Sequence, residues 1–226
     1  MKKTNENNTT EVKKKQGNGI TELVFVIDRS GSMAGFEADT AGGFNSMIER
    51  QSEVEGEVLV STVLFDSRST VLHDRIPIDR VQKMRKRDFC VGGCTALLDA
   101  LGDAITHIGN IHKYARPEDV PENTVFVITT DGMENASREY SSDCVKEMIE
   151  YRKRECGWDF IFLAANIDAV ESAGRIGIGV DRAANYDQSA GGFQACYSAM
   201  SDFVAMRRCA PTSTAVGEEW KKKLKK

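Results

Sequence analysis

The sequence predicts a doubly wound α/β domain: a mostly parallel sheet with one antiparallel edge strand and helices on both faces. Three observations carry that prediction. Short segments rich in Val, Ile, Leu and Phe recur with almost no polar alternation, as strands covered on both faces do. Segments with apolar residues at spacings of three and four separate them, as crossover helices would. Finally, two strand-like segments lie only a polar turn apart, too close for a crossover, so they form a hairpin.

Each element can be justified in order. From Thr21 the run ELVFVID is short, rich in β-branched and aromatic residues, and stops at a Gly/Ser turn, as a buried strand would. A helix follows over residues 39 to 53, with Phe44, Met47, Ile48 and Gln51 on one face. EVLVSTVLF, residues 57 to 65, reads as the second strand, and Thr70 to His73 as its hairpin partner after the turn DSRS. Thr95 stands where a helix N-cap belongs, ahead of ALLDALGDAITHI with Leu98, Leu101, Ile105 and Ile108 in register. TVFVITT (124 to 130) is a buried strand, followed by a helix marked by Val145, Met148 and Ile149. DFIFLAA (159 to 165) is another strand, followed by a short helix Ala169 to Arg175 and a Gly-rich bend. A weak strand at Ala183 to Tyr186 precedes a long helix with Phe193, Cys196, Tyr197, Met200, Phe203 and Val204 on one side. The domain is expected to span residues 20 to 210, between a polar, aperiodic leader (1–19) and a basic tail (211–226).

Composition narrows the function classes. Hydrophobic residues make up 41% and charged residues 28% of the 226, which is globular rather than disordered or fibrous. The longest apolar runs, such as Leu23 to Ile27, fall far short of the ~20 residues a membrane helix needs. MKKTNENNTTEVKKKQ is basic but lacks the apolar segment of a secretory signal, so a cytoplasmic location is expected. The net charge of −4 conceals ends of +3 each and a body of −10. An acidic body argues against nucleic acid as the principal partner, and the WKKKLKK run is expected to be a solvated end. Six cysteines without an export signal are expected to be reduced. Cys90 and Cys94 form C-x3-C, but only His73, His107 and His112 are present to help, and no second paired spacing completes a zinc site. A redox role for the pair would need a depressed thiol pKa, which sequence does not reveal. Cys144 and Cys196 fall in apolar helical patterns and read as small buried thiols.

In doubly wound sheets ligands bind at the carboxyl ends of the strands. The first strand ends in Asp28-Arg29-Ser30-Gly31-Ser32 and the fourth in Thr129-Thr130-Asp131-Gly132, with Thr95 at a loop-to-helix junction nearby. Two carboxylates and several hydroxyls thus converge on one sheet edge. They are hard oxygen donors, suited to Mg²⁺ or Mn²⁺ rather than zinc. With only two charged ligands, such an ion stays electron-poor enough to accept a carboxylate from outside.

D-x-S-x-S at Asp28, Ser30 and Ser32, a Thr within GGCT at Thr95, and Asp-Gly after an apolar strand at Asp131 resemble the metal-ion-dependent adhesion site of von Willebrand factor type A (vWA) domains. The resemblance covers residues 20 to 208, and with no visible second domain the chain is similar to stand-alone bacterial intracellular members. It implies a protein-binding module in which Ser30, Ser32 and Thr95 coordinate a divalent cation through hydroxyls, while Asp28 and Asp131 ligate it directly or through water. A partner's Asp or Glu would complete the coordination. The loops carrying Met33, Phe36, Asp66, Met133, Glu134, Asn166 and Asp168 would surround the ion and select that partner. Family members often have small residues after the fifth strand, so Asn166 and Asp168 depart from the pattern; Asp168 also reads as a helix cap. The alternative is a Mg²⁺-dependent phosphoryl-transfer or phosphatase-type enzyme. It lacks the D-x-D of aspartate-based phosphatases, because Ser30 stands at the second position, and no phosphate loop, nucleophile elbow or zinc-protease motif occurs. GIG at 177 to 179 lacks the rest of a dinucleotide fingerprint, and His107 and His112 read as a surface pair rather than a base. No enzymatic activity is therefore expected.

Overall fold

A computed structural model describes residues 19–210 and 214–224. Strands β1 (Thr21–Asp28), β2 (Val58–Phe65), β3 (Ser69–Pro77), β4 (Asn123–Thr130), β5 (Asp159–Ala164) and β6 (Ala183–Asn185) form one sheet in the order β3-β2-β1-β4-β5-β6. Only the β2–β3 pair is antiparallel. Helices α1 (Glu37–Ser52), α2 (Leu97–Tyr114), α3 (Ser142–Cys156), α4 (Ala169–Arg175) and α5 (Ala190–Cys209) cover both faces. This is the predicted fold class.

Alternation along β1 shows how the sheet divides two cores. Leu23, Phe25 and Ile27 face α1 and α5, packing with Phe44, Met47, Phe193, Tyr197 and Met200. Val24 and Val26 face the opposite layer, with Leu101, Ile105, Val145 and Ile149 of α2 and α3. Both sides of one strand are therefore apolar, which is why the run shows no polar alternation. At the α1–α5 contact, a side chain on Gly43 would run into the Tyr197 ring, so glycine lets the two helices approach closely.

Four expectations are corrected. The edge strand extends to Pro77, well past His73, because the charged pair Asp74-Arg75 interrupts its apolar pattern on a strand that is only partly buried. Thr95 is not the helix N-cap: α2 begins at Leu97, Ala96 occupies the cap position, and no side chain of that residue caps it. Cys144 is exposed, whereas Cys196 is buried as expected. The tail is not wholly solvated. A 3₁₀ helix, Glu219–Leu224, places Trp220 at 1% exposure against Phe203, with ring centroids 5.7 Å apart and an interplanar angle of 76°. Lys221 is buried with it, while Lys222 and Lys223 remain exposed. The leader expected over 1–19 lies, except for Gly19, outside the described residues, as do 211–213 and 225–226 of the tail.

Candidate metal centre

The strand order reverses between β1 and β4, the switch point at which open α/β sheets form their ligand crevice. Asp28 ends β1 there, and Asp131 follows the last residue of β4. Asp28 is fully buried and Asp131 is 2% exposed. The Ser30 amide donates to Asp28 Oδ1 at 2.7 Å and the Thr130 hydroxyl to Oδ2 at 2.6 Å. Ser32 Oγ donates to Asp131 Oδ1 at 2.6 Å and lies 3.2 Å from Ser30 Oγ. A Cβ on Gly132 would lie 3.4 Å from Thr95 Oγ1 and 3.7 Å from Ser32 Oγ, so these hydroxyls flank the same glycine. All five predicted ligand residues thus meet at one edge of the sheet.

The loops that carry them are locked to each other. Thr95 N donates to Asn135 Oδ1 at 2.9 Å, and Asn135 N donates to the Thr95 carbonyl at 3.0 Å. Glu134 accepts from the Leu98 amide in the first turn of α2, and from the Ala136 and Ser137 amides of its own loop. Asp99 reciprocates by accepting from the amides of Arg138, Glu139 and Tyr140. A carboxylate from another loop thus serves as the N-terminal cap that Thr95 does not supply, and it complements the helix dipole. On the other side, Arg29 turns away from Asp28 and pairs with Asp66 at 2.9 Å, tying the β2–β3 turn to the first loop.

The electrostatics suit a cation. Burial pushes the Asp28 carboxyl above its ordinary 3.8, and Asp131 adds to the rise against hydrogen bonds from Thr130 and Ser30. Burial likewise raises Asp131, opposed by hydrogen bonds from Ser32, its own backbone and Gln188. Among the described residues no Lys, Arg or His pairs with either carboxylate. The Thr95 hydroxyl, on a side chain only 4% exposed, has no hydrogen-bond partner among them. No three His, Cys, Asp or Glu side chains cluster there as ligands, so the donors are two carboxylates and three hydroxyls. That set fits a hard divalent cation.

No protein-family model matches the chain, and no curated protein matches it. Solved structures do. Proximal thread matrix protein 1 from the mussel byssus, with a zinc-occupied MIDAS motif, aligns with a TM-score of 0.56 at 16% identity, over 83% of this chain and 46% of its own. The von Willebrand factor type A protein from Catenulispora acidiphila aligns with a TM-score of 0.54 at 13% identity, over 82% and 42%. The fold is a vWA fold. Manganese-loaded Plasmodium vivax TRAP protein aligns with a TM-score of 0.53 at 16% identity, over 80% and 72%. The chain spans less than half the length of the first two, and its vWA fold is what it shares with them.

Within this vWA fold the residues expected to face a partner divide sharply. Met133 is 71% exposed beside the candidate ligands. Met33, by contrast, is buried and packs the core beneath its loop, and half-buried Phe36 stacks on Phe193 with centroids 5.0 Å apart. Asp66 is engaged by Arg29, and Glu134 by the start of α2. Asp168 caps α4 by accepting from Val170 and Glu171. Asn166 donates to the side chain of Gln188. Sequence reasoning missed Thr130 as a donor to Asp28 and missed Gln188 entirely. His107 and His112 are satisfied by Asp74 and Glu22 rather than placed as bases.

Proposed function

We propose that this protein is a divalent-metal-dependent protein-binding module. Asp28, Ser30, Ser32, Thr95 and Asp131 would hold one Mg²⁺ or Mn²⁺, and a partner would present Asp or Glu to it. The observation that carries the reading is the convergence of two buried carboxylates with three hydroxyls, with no cationic side chain paired to those carboxylates among the described residues. Bound there, the ion would supply an open coordination position for an external carboxylate. The protein's own residues do the rest. Ser30 N and Thr130 Oγ1 fix the plane of Asp28, while Ser32 turns its proton toward Asp131 and can accept from Ser30. The Glu134 and Asp99 clamps keep the Thr95 and Asp131 loops in register. That neighbours of the same fold carry a zinc-occupied MIDAS or are loaded with manganese supports divalent-cation binding by this chain.

Beside Gly132 and Met133 opens a cleft of about 360 Å³ with Leu97, Phe162, Ile167 and Ile176 in its lining, which would take an apolar side chain next to the partner's carboxylate. No helix among the described residues is long and apolar enough to cross a membrane. All six cysteines are unpaired. A module of this kind binds and releases without turnover. The test is capture of acidic peptides on the immobilised protein. Capture that needs Mg²⁺ or Mn²⁺, is lost with chelator, and is lost when the peptide Glu becomes Gln supports the reading. Metal-dependent hydrolysis of phosphoesters that disappears in Asp28→Asn would replace it with the enzymatic alternative.

A further inference from the structure

Asp131 is bracketed by donors far apart in sequence. Ser32 Oγ donates to Oδ1 at 2.6 Å, and Gln188 Nε2 donates to Oδ2 at 2.7 Å. The same amide nitrogen reaches the Ser32 carbonyl at 3.2 Å, and the Gln188 carbonyl oxygen accepts from Asn166 Nδ2. Asp28 has its own pair of donors, but the Ser30 amide and the Thr130 hydroxyl belong to the segments that carry the ligands. Gln188 does not. It lies between β6 and α5, immediately before Ser189, the N-cap of α5. Asn166 lies just beyond β5 with φ at 55°, a left-handed conformation that asparagine tolerates better than most residues.

The amide can take only one orientation. Its nitrogen faces two acceptors and its oxygen faces a donor, so a flip would set oxygen against the Asp131 carboxylate and the Ser32 carbonyl. A carboxylate pinned at both oxygens is held against rotation about its Cβ–Cγ bond, and each oxygen keeps a further lone pair. The pin is also neutral, so it orients Asp131 without setting a positive charge against a cation.

We infer that Gln188 is a positioning residue for Asp131, that Asn166 holds Gln188 in place, and that the pair sets the affinity of the centre for its divalent cation. The inference rests on the metal-binding reading above. Outer hydrogen bonds that orient metal-ligating side chains commonly govern roughly 10–100-fold of metal affinity.

The experiment is calorimetric titration of the full chain, stripped by chelator, with Mg²⁺ and with Mn²⁺, for wild type, Gln188→Met and Asn166→Ala. Methionine keeps the length of the side chain and removes its donors. Gln188→Met should weaken both ions by about tenfold or more, and Asn166→Ala by a smaller factor, because the amide can still donate once its tether is gone. The melting temperatures of the stripped proteins should stay within about 3 °C of wild type, and the electron paramagnetic resonance spectrum of bound Mn²⁺ should change in Gln188→Met. A merely structural role would move the melting temperature and leave the spectrum alone. Unchanged affinity in Gln188→Met would overturn the inference, and tighter binding would show instead that the amide competes with the ion. If Gln188→Met fails to fold, Asn166→Ala decides: wild-type affinity there contradicts the inference. Wild type that binds neither ion sinks the metal reading itself, a result distinct from any of these.

Discussion

Thr95 carries a hydroxyl that none of the described residues uses, on a side chain that is almost fully buried. With no protein partner to lose, replacing that hydroxyl with the isosteric methyl of Val should leave the chelator-stripped protein about as stable as wild type. The same substitution should shrink the rise in melting temperature that Mg²⁺ produces. Thermal melts with and without Mg²⁺ check both statements; a stripped Thr95→Val protein that melts well below wild type would show that the hydroxyl serves the fold. His73 gives a pH test. Burial holds its imidazole below the ordinary 6.5, against the opposing influences of the Gln82 backbone and Asp88, and its Nδ1 lies 3.0 Å from Thr62 Oγ1. A base with a lowered folded pKa binds fewer protons folded than unfolded. Its contribution is therefore complete above pH 6.5 and is lost as pH falls below that value toward the folded pKa. Wild type should lose more melting temperature between pH 7 and pH 5.5 than His73→Gln does, and equal losses would contradict this. At this scale the candidate ligand residues stood out because Asp28, Ser30 and Ser32 sit within five consecutive positions and Asp131 directly follows an apolar strand. Gln188 was not. Its partners Asp131 and Ser32 are 57 and 156 residues away, and a lone glutamine before a helix has no pattern of its own.

Helix α2 shows what an element-level reading captures and what it loses. Its apolar spacing fixed the buried face at Leu98, Leu101, Ile105 and Ile108, all buried as expected. Its start was misplaced because a Thr before an apolar run looks like a cap, whereas the capping group comes from Glu134, 36 residues away from Leu98. Glu134→Ala should cost about 1–2 kcal/mol, the usual range for a lost helix cap. It should also weaken Mg²⁺ binding, because the clamp keeps the Thr95 and Asp131 loops in register. Denaturant unfolding and metal titration of the same variant test the two effects together, and a stability loss with unaltered metal affinity would separate the clamp from the site. The final 3₁₀ helix was hidden for a different reason. Its sequence is dominated by lysines, and one Trp among them carries the docking. Trp220→Ala should destabilise the fold by roughly 3–5 kcal/mol, as loss of a buried tryptophan does. A change below about 1 kcal/mol would mean that the tail does not hold α5 in solution.

At the scale of the molecule, the sheet does two jobs with one strand order. Its buried central strands β1 and β4 need no polar residues along their length except at their ends, so the polar groups collect where the order reverses. The fold was legible because strands covered on both faces leave apolar runs that stand out, and the candidate site could be proposed because its oxygen-bearing residues are the ones that break those runs. Asp28, Ser30, Ser32, Thr95 and Asp131 are proposed to hold one divalent cation together. If so, Mg²⁺ at about a hundred times its dissociation constant should stabilise the protein by roughly 2.7 kcal/mol. The direct measurement is isothermal titration calorimetry of Mg²⁺ into the chelator-stripped wild type and into an Asp28→Asn, Asp131→Asn double variant. One ion bound per wild-type chain, and none detectable in the folded double variant, is the expected result. Equal Mg²⁺ binding by the two proteins would contradict it.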